Sequence, residues 1–232
     1  MRFLCFHGIG TNSEIFERQT AALRYELGSN HTYDFVDGTV PWEMDKGVSG
    51  LKCADNESNN EADMTEFISS GDKTFAYCDT SSVQSCAKAS EDLDRYLESE
   101  GPYDGVMAFS MGATFVLSWM TKKIREQKEK SVQLPFKLGI FFSNAGELLD
   151  YNISSDNMIT LDSIPFDELI GLPTAHIWGI SDPDKENALL GSQACKEEVR
   201  HVFIHERGHE VPISSENVIS MAKVINRAIA QA

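Results

Sequence analysis

The chain alternates between short apolar runs and longer stretches in which apolar residues recur at helical spacing. Apolar runs with the length of buried strands lie at residues 3–6, 32–37, 105–109, 136–143, 174–178 and 199–205. Helical periodicity extends over residues 81–100, 110–130 and 214–230. Because alternating strand and helix patterns are typical of βαβ units, the sequence predicts an α/β fold with a mainly parallel central sheet and helices on both faces.

The first and last predicted helices have further support. The first follows a glycine-rich turn at residues 7–10, where Thr11 and Glu14 stand three apart as in a capping box. Apolar residues then recur at helical spacing at Ile15, Phe16, Leu23 and Leu27. In the last helix, one apolar face is predicted to contain Val218, Ile219, Ala222, Ile225 and Ile229.

Two acidic segments interrupt the alternation. Residues 45–72 hold seven acidic residues against two lysines and show little periodicity, apart from a short helix expected at 62–69. Residues 146–170 are irregular, with scattered apolar positions. Long loops inside compact domains are usually lids or binding loops. We therefore predict a single domain over residues 1–232, with 45–72 and 146–170 as its lid or cap.

The net charge of −16 in 232 residues narrows the range of partners. DNA, RNA and anionic membranes would all repel so acidic a chain, so neither nucleic acid nor membrane is expected as a partner. The five cysteines are odd in number and form no C-x-x-C pattern, which indicates free thiols in a reducing compartment. With no pattern typical of a signal peptide or a membrane span, we expect a cytoplasmic protein.

A candidate nucleophile stands between the strand at 105–109 and the helix that follows it. Ser110 occupies this corner, and the positions two before and two after it are small, Ala108 and Gly112. This is the pattern of a nucleophile elbow, in which strand and helix pass so closely that large neighbours do not fit. A serine that only caps a helix is the alternative. The missing acid at position 113 and the apolar strand favour the elbow.

An oxyanion hole is predicted beside this serine. The backbone N–H of Met111, at the positive end of the helix, would point towards an oxyanion formed when Ser110 attacks a carbonyl. The turn at residues 7–10 is expected to supply a second N–H, with Ile9 as the candidate donor. An ordinary glycine-rich turn is the alternative for this segment. His7 is expected to order the turn rather than to act as a base.

A serine needs a base, and in an elbow-containing chain the acid and the histidine follow the serine in that order. Asp182 and Asp184 lie in a turn after the strand at 174–178, and Asp182 is the first choice with Asp184 in reserve. Both residues beside Pro183 also suit a simple turn. His209 follows the strand at 199–205 in a loop bracketed by glycine and proline, and is the predicted base.

Other histidines near the end of the chain could also serve as the base or as metal ligands. His205 is the main alternative to His209 as the base. His201, His205 and His209 are spaced by four, as helical zinc ligands would be. The segment has a strand pattern, however, and four strand residues span about 13 Å, which is too far for three residues to share one ion. No metal and no cofactor are therefore predicted.

Together these segments resemble the fungal-type serine hydrolases, the FSH group of α/β hydrolases. The resemblance spans nearly the whole chain, through Phe3-Leu4-Cys5-Phe6-His7-Gly8 with Glu14-Ile15-Phe16, Phe35-Val36-Asp37-Gly38, Phe109-Ser110-Met111-Gly112-Ala113, His176-Ile177-Trp178-Gly179 with Asp182, and Gly208-His209-Glu210-Val211-Pro212. It implies the α/β-hydrolase fold and a small cytosolic esterase or thioesterase with a Ser-Asp-His triad. Ala108 replaces the usual glycine and Met111 stands where glutamine is common, which leaves the substrate preference open.

The resemblance also implies a biological setting, since many fungal members look like accessory enzymes of polyketide and related secondary metabolism. Some release the acyl product from a carrier-protein thioester. The predicted function is hydrolysis of an acyl ester or thioester through an acyl-enzyme, with an acyl carrier protein as a possible partner. The alternatives are a ligand-binding, receptor-like protein on a hydrolase fold, and a carbon–carbon bond hydrolase or cyclase that uses the same triad.

Two sets of residues bear on the substrate. The segment at 146–170 offers apolar side chains that could line an acyl pocket or form a local core under a loop, namely Leu148, Leu149, Ile159, Leu161 and Phe166. A basic run could dock an acidic carrier protein. Basic residues are also stabilising in the last turns of a helix, and we favour this second explanation. This run consists of Lys122, Lys123, Arg125, Lys128 and Lys130.

Overall fold

The computed structural model describes residues 1–42, 72–126, 134–152, 156–161, 164–165 and 169–232. In chain order, the strands within these ranges are β1 (Arg2–Phe6), β2 (Thr32–Val36), β3 (Val40–Pro41), β4 (Phe75–Ala76), β5 (Gly105–Phe109), β6 (Leu138–Phe142), β7 (Leu149–Asn152), β8 (Asn157–Thr160), β9 (Thr174–Gly179) and β10 (Arg200–His205). The α-helices are α1 (Ser13–Gln19), α2 (Ala21–Leu27), α3 (Val83–Glu100), α4 (Met111–Glu126), α5 (Lys185–Gln193) and α6 (Ser215–Ile229).

Six strands form the central sheet in the order β10-β9-β6-β5-β1-β2, and every neighbouring pair is parallel. The inner strands β5, β6 and β9 are buried along their whole length, as expected for a parallel sheet covered on both faces. The predicted parallel sheet is thus confirmed. Because all six strands run the same way, the loops that follow them meet at one edge of the sheet.

Two hydrophobic cores cover the two faces of the sheet. On one face, α1, α2 and α6 pack against side chains such as Phe3, Met107 and Ile177. On the other face, α3 and α4 pack against side chains such as Leu4, Val106 and Phe141. Neighbouring residues of one strand therefore point into different cores, which is the period of two that a strand imposes. The arrangement agrees with the predicted helices on both faces.

The first helix is capped differently from the sequence prediction. Asn12, not Thr11, is the N-cap of α1, and its side chain accepts a hydrogen bond from the N–H of Ile15. The Thr11 hydroxyl donates instead to the carbonyl of Gly8 at 2.6 Å. The predicted capping box of Thr11 and Glu14 is therefore wrong, because Thr11 is already committed to the preceding turn.

The last helix also differs from prediction on its buried face. Ile219 is 43% exposed, whereas Met221 and Val224 are buried in the core. Val218, Ala222 and Ile225 are buried as predicted. The buried stripe is therefore shifted around the helix, so that Ile219 lies at its border with solvent.

Two small antiparallel pairs lie outside the central sheet. β3 pairs with β4, and β7 pairs with β8 as a hairpin inserted between β6 and β9. The hairpin falls in the predicted cap segment 146–170, which is therefore not wholly irregular. The other predicted lid segment and its helix at 62–69 lie outside the described residues, apart from Asp72. Within the described ranges, no helix is long and apolar enough to cross a membrane.

Candidate active site

Ser110 stands at the corner between β5 and α4. Its φ angle is +55°, in the left-handed region that side chains other than glycine rarely adopt. The Ser110 N–H donates to the carbonyl of Phe142 at 2.9 Å, and its own carbonyl accepts from the N–H of Thr114. The strained conformation is therefore held from both the neighbouring strand and the following helix, as expected where strain serves a site.

The small residue after this corner has a steric reason. A Cβ atom on Gly112 would lie 2.6 Å from the carbonyl oxygen of His7 and 2.8 Å from that of Phe6. No side chain fits at those distances, so glycine allows the first turn of α4 to approach the end of β1. Ala108, on the other side of the corner, is fully buried. The predicted need for a small residue at position 112 follows from this close approach.

His209 bridges Ser110 and Asp182. Its Nε2 lies 2.9 Å from the Ser110 Oγ, and its Nδ1 lies 3.0 Å from both carboxylate oxygens of Asp182. The Asp182 side chain is fully buried, whereas that of His209 is 20% exposed. The histidine ring also packs on Phe109, with 5.2 Å between ring centroids. A hydroxyl, an imidazole and a carboxylate thus form one continuous hydrogen-bonded chain.

The turn after β9 orients Asp182. The Asp182 N–H donates to the carbonyl of Gly179, and its Oδ1 accepts from the N–H of Asp184 at 2.9 Å. Burial acts to raise the pKa of the Asp182 carboxyl, but the hydrogen bonds from His209 and from the Asp184 N–H outweigh it and lower the pKa. The carboxylate facing His209 is therefore held ionised.

Asp184, the reserve candidate, has a different environment. It is the N-cap residue of α5, and burial raises the pKa of its carboxyl. Among the described residues, the carboxylate that hydrogen-bonds His209 belongs to Asp182. Asp182, Asp184 and His209 do place possible metal-ligand atoms within 4.8 Å of one another. Because the hydrogen bond to Asp182 occupies Nδ1 of His209 and the Ser110 hydroxyl faces Nε2, the cluster is better explained without an ion.

The loop that carries His209 packs against the turn after β9. Ser181 donates its N–H to the carbonyl of Arg207, and a Cβ on Gly179 would lie 2.0 Å from that same carbonyl oxygen. The loop is also closed on itself by an ion pair of 2.8 Å between Arg207 and Glu210. These contacts fix the distance between the two loops, and with it the distance between Asp182 and His209.

His205, the competing histidine, lies in the interior. It is 2% exposed, and its Nδ1 accepts a hydrogen bond from the N–H of Arg207. Burial lowers the pKa of its imidazole. No hydrogen bond joins it to Ser110 in the described part of the chain. His205 therefore supports the loop that carries His209.

The turn at residues 7–10 lies directly against Ser110, since a Cβ on Gly8 would be 3.2 Å from the serine Cβ. His7 orders this turn. Its Nδ1 lies 2.7 Å from the Gly8 carbonyl, and its Nε2 accepts from the N–H of Gly38 at 3.0 Å. Burial lowers the pKa of this imidazole, so the neutral form that this pair of contacts needs is favoured.

Two backbone amides beside Ser110 are unengaged. Within the described ranges, neither the N–H of Ile9 nor that of Met111 donates a hydrogen bond to another group of the chain. By contrast, the N–H groups of Gly10 and Thr11 in the same turn donate to the carbonyls of Phe75 and Gly8. The two amides that the sequence predicts for an oxyanion hole are thus among those that donate to no other described group.

An apolar cavity begins at Met111 and follows α4 towards Trp119. Its wall combines α4, the start of α3, the segment before α3 and the hairpin β7–β8, and it is lined by Cys78, Thr80, Cys86, Met111, Thr114, Phe115, Ser118, Trp119, Leu149 and Tyr151. Of the residues predicted to line an acyl pocket, Leu149 does so. Leu148 and Leu161 join the core between sheet and α4, and Ile159 is 48% exposed.

Phe166, the remaining residue predicted to line an acyl pocket, lies outside the described residues. Cys78, Cys86 and Tyr151 line the cavity without having been predicted to do so. They come from three different segments of the chain, and no short-range pattern in the sequence relates them.

The basic run at the end of α4 is engaged in ion pairs. Lys122 contacts Glu126 at 2.8 Å, Lys123 contacts Asp94 at 2.5 Å, and Arg125 contacts Asp150 on β7 at 2.6 Å. Lys122 also donates to the carbonyl of Tyr151. Lys128 and Lys130 are outside the described residues. The described basic residues thus tie α4 to the hairpin and to α3.

A parallel sheet that carries such a Ser–His–Asp chain at the carboxyl ends of its strands defines the class of α/β hydrolases. The solved structure of the Bacillus cereus carboxylesterase shares this fold, with a TM-score of 0.53 and 13% identity over 97% of this chain and 87% of that one. The predicted fold class is therefore confirmed.

The chain belongs to the FSH1 serine hydrolase family, whose family model, described as serine hydrolase (FSH1), matches residues 1–221. Esterase FPY3 of Fusarium mangiferae is 32% identical and is aligned over all of this chain and 98% of its own length. Hydrolase phiM of a fungal species (strain ATCC 74256) is 27% identical over all of this chain and 94% of its own. The resemblance seen in the sequence is thus confirmed, and the protein is a serine hydrolase of the carboxylesterase type.

Proposed function

We propose that the protein hydrolyses acyl esters through an acyl-enzyme on Ser110, with His209 as general base and Asp182 as the residue that orients it. The hydrogen-bonded chain from the Ser110 Oγ through His209 to the buried Asp182 carboxylate carries this proposal. Ionised Asp182 keeps the Nδ1–H tautomer of His209, so that Nε2 faces the hydroxyl with a free electron pair.

The proposed reaction has two halves. In the first, Ser110 Oγ attacks the acyl carbonyl carbon while its proton passes to Nε2 of His209, and the protonated imidazole then gives this proton to the leaving alkoxide. In the second, water attacks the acyl-serine, its proton passes to His209, and the acid leaves as Ser110 recovers the proton. The N–H groups of Ile9 and Met111, both free of other partners in the described ranges, would hold the oxyanion in each half.

We assign the acyl group to the cavity along α4. Met111 lines this cavity and directly follows Ser110 in the chain, so the cavity lies beside the corner that holds the serine. The cavity wall is almost entirely apolar and mixes aliphatic, aromatic and sulfur-containing side chains. Such a wall suits an apolar acyl chain or a ring, since burial of apolar surface is its main contribution to binding.

The leaving group is better assigned to an alcohol than to a carrier protein. The chain has a net charge of −16, and acyl carrier domains are usually acidic as well. The basic residues of α4 that the structure describes are already paired with carboxylates, which leaves them poorly suited to attract an acidic partner. An esterase named among the relatives supports the same choice.

The test compares a p-nitrophenyl ester, a medium-chain acyl thioester of a small thiol, and the same acyl group on a carrier protein. Wild type should hydrolyse the ester, and Ser110→Ala should lower kcat by at least about 10³-fold with little change in thermal midpoint. Wild type should also bind a fluorophosphonate covalently, and Ser110→Ala should not. A wild type that neither hydrolyses these substrates nor takes up fluorophosphonate would refute the proposal. A higher kcat/KM for the carrier-bound thioester would overturn the choice of leaving group.

A further inference from the structure

Two cysteine thiols face each other in the wall of the cavity along α4. The Sγ atoms of Cys78 and Cys86 lie 3.5 Å apart, and both side chains are buried. A disulfide requires an S–S distance of about 2.05 Å, so the two sulfur atoms need to approach by roughly 1.5 Å. Cys78 lies in the connection between β4 and α3, outside any helix or strand, and can make that approach more easily than Cys86 in the first turn of α3.

The pair is also chemically unequal. In the structure the Cys86 S–H is the donor, with the Cys78 Sγ and the Asp79 carbonyl oxygen each 3.5 Å away. Once Cys86 is ionised, the Cys78 S–H can donate to its thiolate, which lowers the pKa of Cys86 and raises that of Cys78. The thiolate is the form that attacks a disulfide. Cys86 is therefore suited to react first, with Cys78 in position to displace whatever Cys86 has bound.

The side of the cavity at Thr80 is where a small reagent would approach the thiols, because Thr80 is exposed and lines the same cavity. Cys5 and Cys195 offer a contrast within the same chain. Each is 1% exposed, burial raises the pKa of each thiol, and among the described residues neither makes a thiol–thiol contact like that of Cys78 and Cys86.

We propose that Cys78 and Cys86 form a reversible disulfide by exchange with a small-molecule disulfide such as oxidised glutathione. The Cys86 thiolate attacks one sulfur of the reagent, which gives a mixed disulfide and releases one thiolate. Cys78 then loses its proton to solvent and attacks the Cys86 sulfur, which releases the second thiolate. Two protein thiols are oxidised, one reagent disulfide is reduced to two thiols, and excess reduced glutathione reverses the exchange.

The bond also alters the cavity. Because Cys78 and Cys86 are both part of its wall, drawing their sulfur atoms together moves the Cys78 segment towards α3 and reshapes the space beside Met111. This consequence rests on the proposed function, in which that space holds the acyl group, whereas formation of the disulfide does not. Oxidation should therefore change the relative rates for long and short acyl chains.

The disulfide can be tested without any activity measurement. Trypsin is expected to release residues 74–88 as one peptide, because Lys73 precedes it and Lys88 ends it, and both cysteines lie within it. The native full chain is incubated with oxidised or reduced glutathione, alkylated and digested. After oxidation this peptide should lose two hydrogen atoms and take up no alkylating reagent, and dithiothreitol should restore two reactive thiols. Cys195→Ala, the matched control, should behave as wild type.

Cys86→Ala and Cys78→Ala should each abolish the intrapeptide bond and leave at most a mixed disulfide on the remaining cysteine. Two free thiols in the wild-type peptide after oxidation, glutathione on both cysteines, or a bond from either to a cysteine elsewhere in the chain would each overturn the proposal.

The effect on the cavity needs a second measurement. The ratio of kcat/KM for a long-chain and a short-chain p-nitrophenyl ester is measured for each protein before and after oxidation. The ratio should change for wild type and for Cys195→Ala and stay constant for Cys86→Ala. An unchanged ratio in a protein shown to hold the disulfide would refute the coupling. No hydrolysis in the reduced wild type would count against the proposed function and leave the disulfide result standing.

Discussion

The Nε2 atom of His209 lies 2.9 Å from the Oγ of Ser110, although 99 positions separate the two residues in the chain. The distance follows from the sheet. Ser110 directly follows β5 and the His209 loop follows β10, and the loops after parallel strands meet at one edge. The position of Ser110 at a φ of +55° turns its side chain out of the strand towards that edge.

Because His209 contacts Ser110 and, among the described residues, His205 does not, substitutions of the two histidines should have different effects on activity. His209→Ala should lower kcat for ester hydrolysis by at least about 10³-fold, because Ser110 loses its base. His205→Ala should retain most of kcat and lower the thermal midpoint, because a buried side chain that accepts from the Arg207 N–H is removed. Steady-state kinetics and thermal unfolding of both variants make the comparison. Comparable losses of kcat in two folded variants would contradict the assignment.

Substitutions of the two acids after β9, Asp182 and Asp184, should lower kcat to very different extents. Asp182→Asn should lower kcat by up to about 10⁴-fold, because an amide no longer enforces the Nδ1–H tautomer of His209 or stabilises its protonated form. Asp184→Asn is the matched control and should cost far less, since its carboxylate is not a hydrogen-bond partner of His209 in the described residues. The kcat of both variants, with the pH dependence of kcat/KM, tests this. A larger loss of kcat in Asp184→Asn than in Asp182→Asn would reverse the roles.

The oxyanion hole can be tested at Ile9 through its backbone. Ile9→Pro removes an N–H that has no partner within the described ranges, so the loss of a donor costs the folded chain no hydrogen bond there. The expected result is a fall in kcat of about 10²–10³-fold with KM little changed. Ile9→Ala keeps the N–H and should retain most of kcat. If both variants lose kcat equally while remaining folded, the side chain and not the amide is responsible.

Much of this site was predictable because it depends on local pattern. Ser110 is marked by an apolar strand and small neighbours, and the order Ser, Asp, His is a property of the fold. The sequence makes Asp182 the first choice and keeps Asp184 in reserve, because both stand in the same turn; what the structure adds is the contact of His209 with Asp182. The cap of α1 was missed because Asn12 and Thr11 are both good N-cap residues, and the contact of Thr11 with Gly8 decides between them.

The cavity and the hairpin were less predictable. β7 and β8 are short, polar and partly exposed, so they lack the apolar pattern of the central strands. The residues that line the cavity come from segments far apart in the chain, and nothing in the local sequence of Cys78 or Tyr151 points to the other. Contacts of this kind depend on tertiary packing alone.

His176 should make the protein sensitive to acid. It is fully buried beside Phe141, and burial lowers the pKa of its imidazole from 6.5 to about 3. In the unfolded chain His176 therefore binds a proton near pH 6.5, whereas in the folded chain it binds one only near pH 3. The stability due to this difference is complete above pH 6.5 and is lost as the pH falls towards 3, at about 1.4 kcal/mol per pH unit.

His176→Leu should flatten this dependence, because a side chain of similar size then occupies the site without a proton to bind. The free energy of unfolding from urea titrations between pH 4 and pH 7.5 is the measurement. A residual slope is expected from His7 and His205, since burial lowers the pKa of both. Equal slopes in wild type and His176→Leu would refute this account.

Arg125 should matter for the cavity more than for the fold. Arg125→Ala removes the ion pair with Asp150 on β7, which costs about 0–1 kcal/mol of stability at a partly exposed site. Because β7 carries Leu149 and Tyr151 in the cavity wall, KM for an apolar ester should rise while kcat stays nearly constant. Lys137→Ala breaks an ion pair of similar length, though more exposed, with Asp104 away from the hairpin and should leave KM unchanged. Equal KM values for the two variants would contradict the prediction.

The hairpin β7–β8 stands outside the central sheet, in the connection from β6 to β9. It contributes Leu149 and Tyr151 to the cavity but no atom to the hydrogen-bonded chain of Ser110, His209 and Asp182. Replacement of this one excursion would give a new cavity wall while the strand ends that carry the chain stay in register. The ability to cleave and the choice of what is cleaved can therefore evolve separately, since mutations in one stretch of the gene need not disturb the other.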